Sequence, residues 1–287
     1  MPAPMVERQA NGRRAREQQR RVDAHFQQTA GYWKEIYQSH DLESLIYQHR
    51  RLATLAMVEA LTLRPGSPVL EVGCGAGFTT VALSQRGYVV EAIDTVPDML
   101  DQTRRLAVQA GVDHLVTTNS DDIHRLGYPD NAFDLVVAIG VLPWLHSPHQ
   151  AIREMARVLK PGGHLVVSAD NRWRLNRLLD PSSWARPFAA RLFRRITQRH
   201  PVAIPKWRLH SIRKLDRDLA EAGFEKMDAM TLGFGPFSLL GFRFLPAAAE
   251  VKVHRKLQNL ADRGTLLVRS TGSHYLVLAR KTAVHQA

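Results

Sequence analysis

Residues 69–78 read VLEVGCGAGF. A short apolar run meets a carboxylate at Glu71, and glycines follow at positions 73, 75 and 77 before Phe78. A strand that feeds glycines into a helix start presents backbone N–H groups to a ligand at the helix N-terminus. The dinucleotide fingerprint G-x-G-x-x-G needs a third glycine where Phe78 stands, and no Walker lysine follows the loop. Glu71 precedes the first glycine by two residues, where it repels a pyrophosphate and attracts an ammonium group. Asp94 closes the next strand about twenty residues on, where an acid can take both ribose hydroxyls. The loop reads as a holder for a nucleotide-like molecule that bears an amino group and no phosphate.

Outward from the loop, short apolar strands alternate with helices. SPVLEVG reads as a strand and FTTVALSQRG as a helix, then YVVEAID as a strand and PDMLDQTRRLAVQAG as a helix. HLVTTNS and AFDLVVAIG are further strands, HQAIREMARVLKPGG is a helix with a Gly-Gly stop, and HLVVSAD is the fifth strand. Such alternation means βαβ units and a parallel sheet with right-handed crossovers. It breaks at Asn171 and resumes with HSIRKLDRDLAEAGF (helix), KMDAMTLGF (strand), AAAEVKVHRKLQNLADRG (helix) and SHYLVLARK (strand). Upstream, Val22, Phe26, Ala30, Trp33 and Tyr37 share one helical face, and LESLIYQHRRLATLAMVEAL is a second helix ended by the turn signal RPGSP.

The expected fold is α/β: a Rossmann-like, seven-stranded, mostly parallel sheet with helices on both faces, N-terminal lid helices and a helical segment inserted after strand five. The expected division is a disordered basic tail (1–21), a helical lid (22–62), a cofactor-binding core (63–170), a basic helical insert or substrate lid (171–210) and the C-terminal half of the sheet (211–287).

The formal net charge of the 287 residues is +12. It is regional: thirteen Lys/Arg stand against Asp180 and Asp216 between residues 172 and 217, and six Arg against two Glu up to Arg21. The remainder is close to neutral. Cys74 is the one cysteine, which excludes disulfide scaffolds, cysteine zinc sites and iron–sulfur clusters. No apolar stretch approaches the roughly 20 residues that span a bilayer. The N-terminal arginines precede no apolar run, so no secretory signal is expected and the default compartment is a reducing cytoplasm.

S-adenosyl-L-methionine (SAM) has an amino group, a ribose and a sulfonium, so Glu71 with Asp94 suits SAM and fits NAD poorly. As a set, EVGCGAG, AID, NSDDI, FDLVVA and RVLKPGGHLVV resemble a class I SAM-dependent methyltransferase over about residues 55–170. The resemblance implies that Glu71, Gly73, Cys74, Gly75 and Gly77 line the methionine moiety, with Cys74 as a small loop residue. It implies Asp94 on the ribose, Thr95 and Met99 beside the adenine, Asp122 on the adenine amino group with Ile123 against the ring, and Ile139 and Val141 facing the cofactor. Arg50 has two readings: a partner of the SAM carboxylate, or a solvated helix face.

The acceptor is less legible. After strand four, IGVLPW lacks the polar first residue of the (N/D/S)PP(Y/F/W) motif that grips an extruded base. The single cysteine lies in the glycine loop, so it does not serve a pyrimidine C5 mechanism. Asp170 and Asn171 match half of a catechol-type metal site, but Ile139, Gly140 and Val141 supply no acid for the rest, so no metal is expected. In residues 182–199, Trp184, Phe188, Leu192 and Ile196 recur every four residues among arginines, a basic amphipathic helix. That pattern suits a docked lid, peripheral membrane contact, an acidic substrate or RNA phosphates. In GFGPFSLLGFRFLP, Phe234, Phe237, Phe242 and Phe244 are expected either to line an apolar pocket or to pack. HFQQTAGYWKEIY is similar to the lid helices of quinone-precursor and magnesium-porphyrin methyltransferases. The expected activity is O- or C-methylation of a hydrophobic, anionic-leaning small molecule such as a quinone, porphyrin, lipid or polyketide. The alternatives are RNA modification through the basic insert, and a non-catalytic binding protein that has no need of Glu71 and Asp94. Candidate bases are His146, His210 and Tyr32.

Overall fold

The computed structural model describes residues 5–180, 207–240 and 242–282. Among them, β1 (Pro68–Val72), β2 (Val89–Ile93), β3 (Val116–Asn119), β4 (Phe133–Ala138), β5 (Leu159–Asp170), β6 (Phe224–Leu232) and β7 (His274–Lys281) form one sheet. Their spatial order is β3-β2-β1-β4-β5-β7-β6. The first five strands are parallel, and β7 runs antiparallel to both β5 and β6. Helices α1 (Met5–Gln28), α2 (Ala30–Glu35) and α3 (Leu42–Glu59) precede the sheet. Helices α4 (Phe78–Ser84), α5 (Pro97–Gln109), α6 (Pro148–Val158), α7 (Leu175–Leu179), α8 (Ile212–Glu221) and α9 (Ala247–Asp262) are interleaved with it. This is the seven-stranded, mostly parallel Rossmann-like sheet that the strand–helix alternation predicts.

The central strands are apolar throughout because both faces are covered. Alternate side chains of one strand enter different cores. Leu70, Val72, Val136 and Val167 pack with Ile152 and Met155 of α6 and with Leu215 and Leu219 of α8. Val69, Val137 and Val166 pack with Leu55 and Val58 of α3 and with Ala82 and Leu83 of α4. Glu71 shares its face with Val69, so the strand period turns a carboxylate toward α4. The chain leaves β1 for β2 and β3, then returns to place β4 on the other side of β1. That reversal opens a crevice at the carboxyl ends of the strands.

Three expectations change. Residues 5–21 are helix rather than a disordered tail, because their Arg, Gln, Glu and Ala are strong helix formers even without an apolar stripe. The helix expected through residue 37 breaks after Gln28, where the Thr29 hydroxyl donates to the His25 carbonyl (2.8 Å), and α2 begins at Ala30. The helix α6 stops at Val158, four residues before the Gly-Gly pair. Lys160 precedes Pro161, a position that disfavours helix, and Leu159 already pairs with Phe133 of β4.

The insert after β5 leaves and returns at one point. Asn171 pairs with His210, the Arg172 N–H donates to the His210 carbonyl (2.8 Å), and the His210 N–H donates to the Asp170 carbonyl (2.8 Å). The basic amphipathic stretch 182–199 lies outside the described residues. Asn171 caps the neck: its Nδ2 donates to the carbonyls of Ser270 (2.8 Å) and Gly272 (2.9 Å).

Candidate functional site

A cavity of ≈ 390 Å³ occupies the crevice at the carboxyl ends of β1, β2, β4 and β5. Its floor begins at the glycine loop. Gly73, Gly75 and Gly77 have φ of 69°, 55° and 84°, a region that suits glycine. The Gly73 N–H donates to the Ile93 carbonyl (2.7 Å) and tucks the loop against β2. A Cβ on Gly73 would stand 2.5 Å from Val141 Cγ2, so the glycine lets the chain after β4 close over the loop. Asp94 braces the turn from the end of β2: Oδ2 accepts from the Gly75 N–H and Oδ1 from the Val96 N–H, both 3.0 Å. Burial raises its pKa, against the pull of those two amides.

Eleven of the twelve predicted cofactor residues line this cavity: Glu71, Gly73, Cys74, Gly75, Asp94, Thr95, Met99, Asp122, Ile123, Ile139 and Val141. Gly77 is displaced from the expected wall. A Cβ there would meet Thr103 Cα at 2.7 Å, so this glycine serves the approach of α4 and α5. Cys74 is buried with its thiol 3.5 Å from the Thr103 hydroxyl, and burial pushes that thiol up, away from reactivity. Asp122 both faces the cavity and closes its own turn, Oδ1 accepting from the His124 N–H (2.9 Å) and meeting Nδ1 of that ring (2.7 Å). Thr95 lines the cavity and donates its hydroxyl to Asp23 of α1 (2.7 Å).

Two buried ionisable side chains face the cavity. Glu71 is 4 % exposed, and among the described residues it pairs with no cation; it accepts one hydrogen bond, from the Thr80 hydroxyl. Burial pushes its pKa up to about 8, only partly countered by Thr80. Arg50 of α3 is 5 % exposed, and the solvated-face reading therefore fails. Its guanidinium lies 4.7 Å over the Tyr47 ring, and its Nε finds no acceptor among the described residues. A buried carboxylate and a buried guanidinium on one cavity fit a ligand that carries an ammonium and a carboxylate on one carbon. The aminoacyl end of SAM has both.

The opposite wall is aromatic and comes from the lid helices and the chain after β4. Trp144 packs edge-on to Phe26 (5.1 Å between centroids), Phe26 lies 5.7 Å from Trp33, and Trp33 lies 5.4 Å from Tyr47. His25 faces the cavity beside Trp144 (5.6 Å). Tyr32 also lines it, its hydroxyl pushed up to about 12 by burial and the neighbouring Glu43. Trp33 Nε1 has no acceptor among the described residues.

The other two candidate bases sit elsewhere. His146 stacks on His124 (3.6 Å) instead of lining the cavity, and burial depresses its pKa. His210 is buried in the neck of the insert.

Sequence reading missed a pair at the rim. Asp170 Oδ1 lies 2.9 Å from His274 Nδ1, and Oδ2 accepts from Trp207 Nε1 (2.6 Å). Burial would raise Asp170, but the His274 hydrogen bond and the Arg50 and Arg174 charges outweigh it and hold it ionised. Burial depresses His274, so the neutral ring donates Nδ1–H to Asp170. Trp207 belongs to the returning limb of the insert, whose Arg208 N–H also donates to the Pro143 carbonyl (2.7 Å). The returning limb thus closes one side of the cavity with Trp207.

Residues 70–167 match a family described as a methyltransferase domain. Methyltransferase GfsG of Streptomyces halstedii is 31% identical over 139 residues, 48% of this chain and 49% of that protein. The 2-methyl-6-phytyl-1,4-hydroquinone methyltransferase of Synechocystis is 36% identical over 134 residues, 46% of this chain and 40% of that protein. The matched stretches thus span about half or less of these relatives. Among solved structures, the [4+2]-cyclase SpnF superposes with a TM-score of 0.61 at 22% identity, covering 91% of this chain and 95% of that one. Magnesium protoporphyrin IX methyltransferase of Synechocystis, with SAH bound, gives a TM-score of 0.59 at 17% identity, covering 91% and 98%. The family match is confined to residues 70–167, whereas the solved structures share the fold over 91% of the chain.

Proposed function

We propose that the protein transfers the methyl group of SAM to a lipophilic small molecule. One observation carries the reading: a single cavity is lined by the buried Glu71 carboxyl and the buried Arg50 guanidinium, and it also has an aromatic wall. Bound SAM supplies a methyl group already activated by the sulfonium charge. The protein holds and aligns, and it excludes water. Glu71 takes the ammonium, Arg50 the carboxylate, Asp94 the ribose hydroxyls, and Asp122 with Ile123 the adenine. Phe26, Trp33 and Trp144 hold the acceptor's apolar body. His25 is the imidazole on that wall that can accept a hydroxyl proton, while Tyr32 stays a phenol at neutral pH and can only donate. Asp170, fixed by His274 and Trp207, adds a negative rim that orients a donor group of the acceptor.

The hydroquinone methyltransferase among the relatives supports an acceptor of the quinol class, methylated at oxygen or carbon. Incubation with labelled SAM and separated lipid and polar extracts, read by mass spectrometry, tests the proposal. Label in the lipid phase, lost in Asp94→Ala, is expected. Label entering RNA instead would favour the nucleic-acid reading, and SAM binding without turnover on any fraction would favour a non-catalytic role.

A further inference from the structure

Beyond the cavity, the chain displays an apolar hairpin that no core uses. Ser238–Leu239 pairs antiparallel with Phe242–Arg243, with Leu239 opposite Phe242. Phe242 is 79% exposed, Leu240 63%, and Leu239 and Phe244 are exposed by more than half. Four large apolar side chains in six residues form the kind of surface that soluble proteins rarely leave bare without a partner.

The hairpin is held in this posture. Asp180, itself buried, accepts from the Ser238 hydroxyl and from the Leu240 N–H, both at 2.9 Å. Leu240 has φ of 53°, a left-handed conformation unusual for a bulky residue. Asn176 of α7 donates to the Gly235 carbonyl at the hairpin's base (3.0 Å). A buried carboxylate and a strained leucine thus fix a turn whose side chains point to solvent.

The exposed charge on the hairpin and on α9 is mainly positive, with Asp262 at the end of α9 as the exposed acid. From residue 236 to 261 the cationic side chains are Arg243, Lys252, Arg255 and Lys256, all exposed. Glu250, the sole carboxylate of that stretch, is buried and accepts from the Phe237 N–H (3.2 Å). An apolar tip that carries Arg243 and is followed by a helix with exposed Lys252, Arg255 and Lys256 matches the acyl boundary and headgroups of an anionic bilayer. A protein partner would need acidic groups around an apolar socket, and a second copy of this chain would bring the same cations against itself. No described helix is long and apolar enough to cross a membrane, so the contact is peripheral.

We propose that the hairpin 238–244 is a docking element for anionic lipid bilayers, with Leu240, Phe242 and Phe244 entering the interface and Arg243, Lys252, Arg255 and Lys256 on the headgroups. The inference does not depend on methyl transfer, and its test needs no acceptor.

The full chain is floated with vesicles of phosphatidylcholine alone or with 30% phosphatidylglycerol, at low and high salt. Binding to the anionic vesicles only, weakened at high salt, is expected. Phe242→Ser with Phe244→Ser should weaken it tenfold or more, as should Lys252→Glu with Arg255→Glu, while SAM affinity and Tm stay unchanged. Absence of binding to anionic vesicles overturns the proposal. So does binding that both variants leave intact, which would assign the contact to another segment. A concentration-dependent oligomer abolished by the phenylalanine variant would overturn it in favour of a second copy.

Discussion

The two walls of the cavity are built by different means. The cofactor wall comes from strand ends and the turns after them: Glu71 on β1, the glycine loop, Asp94 on β2 and Val141 after β4. Its groups are fixed by backbone hydrogen bonds and by glycines that only one conformation satisfies. The acceptor wall is assembled from α1, α2, α3, the Trp144 turn and the returning limb of the insert, joined by aromatic contacts and a few side-chain bonds. Strands buried on both faces set positions to fractions of an ångström. Lid helices resting on an edge can open and repack. On the proposed reading, one wall is a rigid holder for the cofactor and the other a surface that selects the acceptor.

The largest expected effect tests that division. Asp94→Ala should weaken SAM at least a hundredfold, about 3 kcal/mol, by isothermal titration. Trp144→Ala should leave SAM affinity within threefold and raise the acceptor KM about tenfold. Equal losses of SAM affinity in the two variants would mean that the walls are not separable.

Gly73→Ala attacks the rigidity itself. At φ of 69°, with Val141 2.5 Å from the added Cβ, it should cost about 1–3 kcal/mol in thermal unfolding. Val141→Ala should recover part of that loss, and no recovery would place the strain elsewhere.

The free protein holds Glu71 protonated up to about pH 8, and an ammonium ligand requires it ionised. SAM affinity should therefore rise between pH 6 and 7.5, by up to roughly tenfold per unit, and Glu71→Gln should flatten the profile. The stability sign is the opposite of a salt-bridged acid. An unfolded Glu loses its proton near 4.5 and the folded one near 8. The unfolded state therefore binds fewer protons between those values, and free-protein stability falls as pH rises through them. Glu71→Gln should remove that slope from a series of denaturation curves.

Arg50 stands where the walls meet. Arg50→Met should weaken SAM about tenfold, near 1.4 kcal/mol; an unchanged affinity would move α3 wholly to the acceptor side. The smallest effect concerns the lid clasp. Asp23→Ala deletes the Thr95 bond (2.7 Å) and should speed SAM dissociation only a few-fold, in line with about 1 kcal/mol for one hydrogen bond. Stopped-flow release of the cofactor measures it.

By itself the sequence determined the sheet, its strand–helix alternation and eleven residues that meet on one cavity. Those features are encoded locally: an acid two residues before a glycine turn, another at the next strand end, apolar runs of strand length. Even there, Gly77 was misplaced, because a glycine that admits a ligand and one that admits a helix look alike in a sequence. Only the tertiary structure buried Arg50, brought His25 to the cavity, and moved His146 and His210 away from it. Asp170 and His274 are 104 residues apart, and the antiparallel register of β5 and β7 makes them neighbours. Short-range steric and turn chemistry is written residue by residue, whereas burial and side-chain partnership belong to the packed whole.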